Sequence, residues 1–301
     1  MNAVLYLAVV VIWGITWIAI AAQQSVFSPA VGVFWRFTIA ALGLFVVLLL
    51  SKRLKKMSLQ DHYFCMLQGL CVFGLNFICF YTAVEYINSG LESVIFSMAV
   101  LFNAINSYLF FKKKISKSFI PAAICGLIGI CALFWHDIVA TQLHWQTLSA
   151  IGLCMLGTYG FSLGNMISLR HQNHHKDIFT TNAYGMLYGA LFMGIVALLL
   201  KQNFIPDLST KGVLAVLYLA IFGSIIGFSL YFMLIARIGA GRAAYSTLLF
   251  PLVALFISTF WENYHWHISS VLGVLFILLG NWILFAQPKY FLKHSAKISS
   301  S

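Results

Sequence analysis

The chain has 301 residues, 61% of them hydrophobic and only 8% charged, with a formal charge of +11. A soluble domain is about one quarter charged. This chain lacks the polar surface to stay dissolved, which argues against a large soluble helical protein.

Taken in chain order, apolar runs of about 20 residues, the length that spans a hydrocarbon core of roughly 30 Å, fall at 2–22, 30–50, 62–84, 90–111, 119–136, 147–168, 179–200, 212–235, 242–261 and 268–287. Peptide groups inside lipid must be satisfied within the segment, and no run alternates with the two-residue period of a barrel. The expectation is therefore an all-α integral membrane protein of ten transmembrane helices. The first run lacks the basic lead-in of a signal peptide, and nine more follow it.

The positive charge is sorted by loop. Lys52, Arg53, Lys55 and Lys56 follow the second run; Lys112, Lys113, Lys114 and Lys117 follow the fourth. Arg170 and Lys176 follow the sixth, Arg237 and Arg242 flank the turn after the eighth, and Lys289, Lys293 and Lys297 lie beyond the tenth. If the spans alternate, all of these share one side, and the excess of Lys and Arg places both termini in the cytoplasm. Lys201 and Lys211 fall opposite, as do Glu85, Asp137, Asp207 and Glu262. The basic charge reads as topology, not as a nucleic-acid surface. Cys65, Cys71, Cys79, Cys125, Cys131 and Cys154 all lie in spans without a CxxC, and read as small buried hydrophobes. RHQNHHKD (170–177) reads as a solvated loop, and no metal or cofactor is expected.

The chain repeats itself. FYTAVEYINSGLES (80–93) and YFMLIARIGAGRAA (231–244) each run from a helix end through a short glycine-bearing turn (Gly90, Gly241) into a new helix. GLIGICALF (126–134) pairs with GVLFILLGNW (273–282), and IWGITW (12–17) with TYGFSL (158–163), setting Trp13 against Tyr159. Five spans per copy is an odd number, so the second copy enters the membrane inverted, and the charges of corresponding turns are reversed to match. The organisation expected is a first five-helix repeat over 1–145, an inverted second over 146–288 and a basic cytoplasmic tail over 289–301. Such halves meet about a pseudo-twofold axis with the solute site near mid-membrane.

The WG of helix one, the arginine of helix two, and a ninth helix reading ARIGAGRAAYSTLLFPLVALFISTFWE before a GxxxxxxG helix together resemble the drug/metabolite transporter superfamily, and within it the EamA-type permeases. The resemblance covers essentially the whole chain. It departs from the family in helix four, FSMAVLFNAI (96–105), which has no proline and ends in lysines. What it implies is transport of amino acids or related metabolites out of the cell, across a bacterial inner membrane. It also places helices one, three, six and eight around a central passage.

Candidate residues follow from depth and chemistry. Arg36 lies about 10 Å below Pro29 at about 1.5 Å per residue, where a charge is costly and usually paired. Its natural partner is Glu92, the lone acid inside a span, as a structural tie, a solute contact or a proton carrier. Pro251 frees a backbone acceptor at Thr247, as a packing kink or a hinge. Uncharged hydrogen-bonding and aromatic groups complete the set: Trp13 and Trp17 on one face of helix one; Asn76, Phe77, Phe80 and Tyr81; Ser97 and Asn103; Tyr159, Ser162 and Asn165; Tyr231 and Tyr245. Gly160 and Gly164, Gly185 and Gly189, and Gly223 and Gly227 read as close helix contacts.

One arginine with an acid beside it disfavours multiply charged phosphates, and one acid disfavours a dication. A neutral or zwitterionic metabolite fits. Import of the same solutes is the competing direction. A membrane enzyme is the competing class, but the chain has no HExxH, no GxSxG and no second membrane acid near Glu92. The partners expected are a small-molecule solute and membrane lipids, with the protein a monomer or homodimer and no nucleic acid bound.

Overall fold

The computed structural model describes residues 2–24, 26–83, 85–87, 92, 95–115, 118–133, 135, 139, 145–205, 210–250, 252, 253, 256 and 266–285. Its helices are α1 (Asn2–Gln24), α2 (Pro29–Leu50), α3 (Leu59–Ala83), α4 (Ala99–Phe111), α5 (Phe119–Leu133), α6 (Trp145–Asn173), α7 (Ile178–Leu199), α8 (Thr210–Ile238), α9 (Ala240–Leu248) and α10 (Ile268–Phe285). Five of them, α2, α3, α6, α7 and α8, are long and apolar enough to cross a membrane. The described helices fall within or overlap the ten runs read from the sequence. Much of the fourth run before Ala99 and of the ninth after Phe250, Pro251 included, lies outside the described residues.

Local chemistry sets the starts and stops. Pro29 opens α2 directly after Ser28, where its missing N–H costs nothing. Ser58 and Asp61 form a reciprocal capping box at the start of α3. Asp177 caps α7 by accepting from the Thr180 N–H at 2.7 Å. The turn from α8 to α9 depends on Gly239, whose φ of +84° lies in the region that disfavours side chains. The sequence pointed instead to Gly241, which lies inside α9.

Two stretches depart from α geometry. Residues Gly69–Leu75 of α3 and Leu219–Ile226 of α8 are π-helical. Widening a helix in this way disturbs its carbonyl ladder and frequently marks a functional segment. Nothing in the apolar pattern foretold them.

Side by side, α2 packs along α7, α5 along α10, α3 against α6, α1 against α8, and α4 against α6 and α9. Glycines set the closest approaches: a Cβ on Gly129 would meet the Gly273 carbonyl at 2.8 Å, and one on Gly164 would collide with the Val72 side chain. The α1–α2 turn lies beside the α7–α8 connection, where Ser28 Oγ donates to Gln202 Oε1 at 2.9 Å and Trp35 Nε1 to the Phe204 carbonyl at 2.8 Å. At the opposite end the α2–α3 and α6–α7 turns meet through the Lys176–Asp61 ion pair at 2.7 Å.

The surface is inverted relative to a soluble protein. Leu42, Val46 and Leu50 of α2 and Leu272, Leu275 and Trp282 of α10 are exposed, whereas Arg36, Asn103, Asn106, Asn165 and Asn182 are buried. Apolar side chains facing outward and amides inward suit a hydrocarbon surrounding. All six cysteines are free; Cys65, Cys79 and Cys154 are buried as read, but Cys131 faces outward.

Candidate functional site

Two polar clusters occupy the interior, joined by aromatic rings. The first lies where α4, α6 and α8 converge. Asn165 Nδ2 stands 3.3 Å from both the Asn103 Oδ1 and the Tyr231 hydroxyl. Asn106 Nδ2 donates to Ser162 Oγ at 2.9 Å one turn along. Asn103, Asn165 and Tyr231 are fully buried, yet among the described residues Asn103 Nδ2 and Asn165 Oδ1 have no hydrogen-bond partner. A buried amide with unmet groups is costly, so this cluster holds spare capacity for a polar guest.

Trp13 of α1 roofs that cluster. Its ring packs on Phe228 at 4.8 Å, Tyr231 at 4.9 Å and Phe250 at 5.4 Å. Its indole Nε1 donates to the Gly223 carbonyl at 3.0 Å, inside the π stretch of α8. Gly227 must be glycine for the same reason, since a Cβ there would collide with the indole.

The second cluster surrounds Arg36. Its Nε donates to Ser224 Oγ at 2.9 Å, on the same π stretch. Its guanidinium carbon stands 4.7 Å from the Phe77 ring centre and 5.3 Å from that of Phe37. The Tyr81 oxygen lies beside it, with the Tyr81 proton directed to Gln23 Oε1 at 2.9 Å, and Gln23 Nε2 donates in turn to the Gly32 carbonyl at 2.7 Å. Phe228 links the two clusters, touching Trp13 on one side and Phe37 and Phe77 on the other.

The expected pairing of Arg36 with Glu92 is not formed. Among the described residues the one ion pair is Lys176–Asp61. Arg36 and Glu92 are both buried, and among the described residues Arg36 Nη1 and Glu92 Oε1 each lack a hydrogen-bond partner. Sequence reasoning set the two at similar depth but could not set their rotation. Arg36 faces α8, where its Nε donates to Ser224.

Other candidates fall elsewhere. Tyr159 is 40% exposed and lies edge-on to Phe102, so it points away from the interior where its assumed counterpart Trp13 points in. Asn76 is a strut, with Nδ2 donating to the Gly157 carbonyl at 3.0 Å. Phe80 packs on Phe96 in a separate apolar cluster with Ile87, Ile95 and Cys154. Tyr245 is buried and donates to the Phe119 carbonyl at 3.2 Å, bracing α9 on α5. Thr247 returns its hydroxyl to the Ala244 carbonyl at 2.7 Å. Ser97 is buried. The Trp17 side chain and Pro251 lie outside the described residues.

Gln23, Asn106, Ser224 and Phe228 were missed. Ser224, Phe228 and Tyr231 stand at i, i+4 and i+7, one helix face, and that spacing around the chosen Tyr231 was the available signal.

An all-helical membrane protein with amides and a charge inside and hydrocarbon outside defines a class, the multi-pass membrane proteins that handle polar matter within the bilayer. Comparison with known proteins gives the family: the chain belongs to the EamA-like transporter family, whose profile matches residues 1–135 and again 148–286. The protein named "Uncharacterized transporter YoaV" of Bacillus subtilis is 24% identical over 291 residues, covering 94% of this chain and 97% of that one. "Protein PagO" of Salmonella typhimurium is 25% identical over 92% of this chain and 90% of its own length. "Uncharacterized inner membrane transporter YhbE" of Escherichia coli is 25% identical over half of each chain, 159 residues. A crystal structure sharing 12% identity superimposes with a TM-score of 0.79 over 97% of this chain and 98% of its own, which is a likeness of fold.

Proposed function

We propose that this EamA-like transporter moves a small neutral or zwitterionic metabolite, an amino acid or a relative of one, out of the cell by alternating access. The observation that carries the reading is the buried amide cluster with unmet valences, Asn103, Asn165 and Tyr231 under Trp13, which draws residues from both halves of the chain. Amides and rings can hold the polar ends and the body of such a solute. The same atoms would suit a phosphate dianion poorly, because they offer no second cation.

Two inverted five-helix halves supply the mechanism. The reading is supported by the π stretches, which fall on the third helix of each half. It is also supported by the packing, since exchanging each helix for its counterpart turns the α3–α6 contact into α8–α1 and returns α2–α7, α4–α9 and α5–α10 to themselves. Basic loops set both termini in the cytoplasm. The printed name of the Escherichia coli relative supports an inner-membrane address. Cysteines introduced at Lys113 and Tyr264, in a background without the native ones, are expected to label from opposite faces. Labelling of both from one face removes the inverted repeat.

Transport itself is tested in proteoliposomes loaded with a panel of labelled neutral and zwitterionic amino acids. Saturable exchange that falls at least about tenfold in Asn165→Leu is expected, one well-placed polar contact being worth about that much. No saturable flux of any panel member overturns the proposal.

A further inference from the structure

Arg36 is a charge without an account. It is 2% exposed, deep in α2, and among the described residues no carboxylate forms an ion pair with it. A serine hydroxyl, two ring faces and the neighbouring Tyr81 oxygen satisfy part of the guanidinium, but among the described residues Nη1 has no hydrogen-bond partner. Leaving a cation so placed in a low-dielectric interior is heavily unfavourable unless a counter-charge arrives.

The surroundings constrain what can arrive. Phe77 and Phe37 approach the guanidinium carbon closely, and Ser224 occupies Nε. Gly223 brings the backbone of α8 up to the group, since a Cβ there would stand 3.2 Å from Nη2 and 3.0 Å from Thr16 Cγ2. The donor left over is Nη1, at the terminal edge of the fork, where a carboxylate oxygen can accept from it. A phosphate dianion would need a further cation. Beyond the fork, Phe77 and Phe228 continue as an apolar surface to Trp13.

We infer that Arg36 is the seat of a carboxylate group on the solute, with the solute's apolar body lying along Phe77 and Phe228 toward Trp13. This rests on the transporter reading and narrows it to solutes bearing a carboxylate. Ser224 acts as a positioning residue, holding the fork through Nε. A purely structural arginine, one that only fastens α2 to α8, would show no preference among ligands.

The test uses the full-length protein in nanodiscs, with 3-phenylpropionate and octanoate each compared with its own primary amide, by calorimetry and thermal shift. Wild type is expected to favour acid over amide by about 10- to 100-fold, the range for a charge-assisted contact. Arg36→Gln should abolish the preference while retaining amide binding, and Arg36→Lys should restore part of it. The wild-type comparison needs no variant, so a misfolded Arg36→Gln leaves the test intact. Ser224→Ala should lower the preference severalfold. Equal binding of acid and amide overturns the inference, as does absence of binding by all four probes. An acid preference that survives Arg36→Gln, or equal stabilisation by sodium chloride, also overturns it. Flux of neutral metabolites without any acid preference would sink this seat and keep the transporter reading. Acid preference without flux of any solute would do the reverse.

Discussion

Two buried charges in this protein are treated in opposite ways. Asp61, at the α2–α3 end, is paired: Oδ2 accepts from Lys176 Nζ at 2.7 Å, from Ser58 Oγ at 2.7 Å and from the Ser58 N–H at 3.2 Å. Lys176 is about a third exposed, so the pair sits at the border with water. Arg36 lies farther in, among rings, with one hydroxyl bond to Ser224, the Tyr81 oxygen beside it, and no partner for Nη1 among the described residues. Where a charge serves the fold, the fold completes its partners. Under the carboxylate seat proposed for Arg36, the incomplete partners in the interior are left for a solute group that comes and goes.

The sharpest way to break this contrast is Arg36→Gln. Losing the fork is expected to cost a transported carboxylate solute about 1.5–3 kcal/mol of binding, measured as a 10- to 100-fold loss in flux efficiency. The melting temperature should hold or rise, because an uncompensated charge has been removed. A fall in stability with unchanged flux would make Arg36 structural. Asp61→Ala should behave in the opposite sense, with flux per folded molecule retained and stability down by about 2 kcal/mol. Roughly half of that is the lost cap and half the lost ion pair. Denaturant unfolding of the purified protein decides it.

Why the depth of Arg36 was legible and its company was not follows from the solvent. Apolar runs of the right length mark spans whatever the fold inside, so the ten runs overlap the helices found. Which way a helix turns is hidden, because lipid-facing and core-facing positions are both apolar; Leu42 and Leu44 of α2 differ only in that one faces outward and the other is buried. Arg36 and Glu92 could thus be matched in depth and still miss each other. The Trp13–Tyr159 alignment failed for a related reason. Gly160 brings α6 close to α3, with a Cβ there only 3.2 Å from the Cys71 carbonyl, and this turns Tyr159 outward where Trp13 turns in. Asn103, Ser162, Asn165 and Tyr231 could be placed in the interior, where they lie buried, because a polar group in a span has few places to go but inward. The π stretches left no mark, since widening a helix by one residue per turn changes no composition.

A smaller effect probes the wall shared by the two clusters. Trp13→Phe keeps most of the ring and deletes the indole bond to the Gly223 carbonyl in the π stretch. A loss of about 1 kcal/mol in stability is expected. Because Gly223 adjoins both Ser224 and Arg36, the same change should weaken carboxylate binding by a few fold. Stability loss with carboxylate affinity unmoved would separate Trp13 from the Arg36 cluster.

The smallest expected effect tests the other end of the comparison. Lys176→Ala removes the exposed member of the ion pair and leaves Asp61 with both Ser58 donors. It should cost at most about 1 kcal/mol, as partly exposed pairs do, and less than Asp61→Ala, which also opens the capping box. In a double-mutant cycle the coupling between the two should fall with added salt, since the pair borders water. A salt-independent coupling well above that size would mean Lys176 is as sequestered as Arg36, and the contrast between a paired rim and an unpaired interior would no longer separate structure from function.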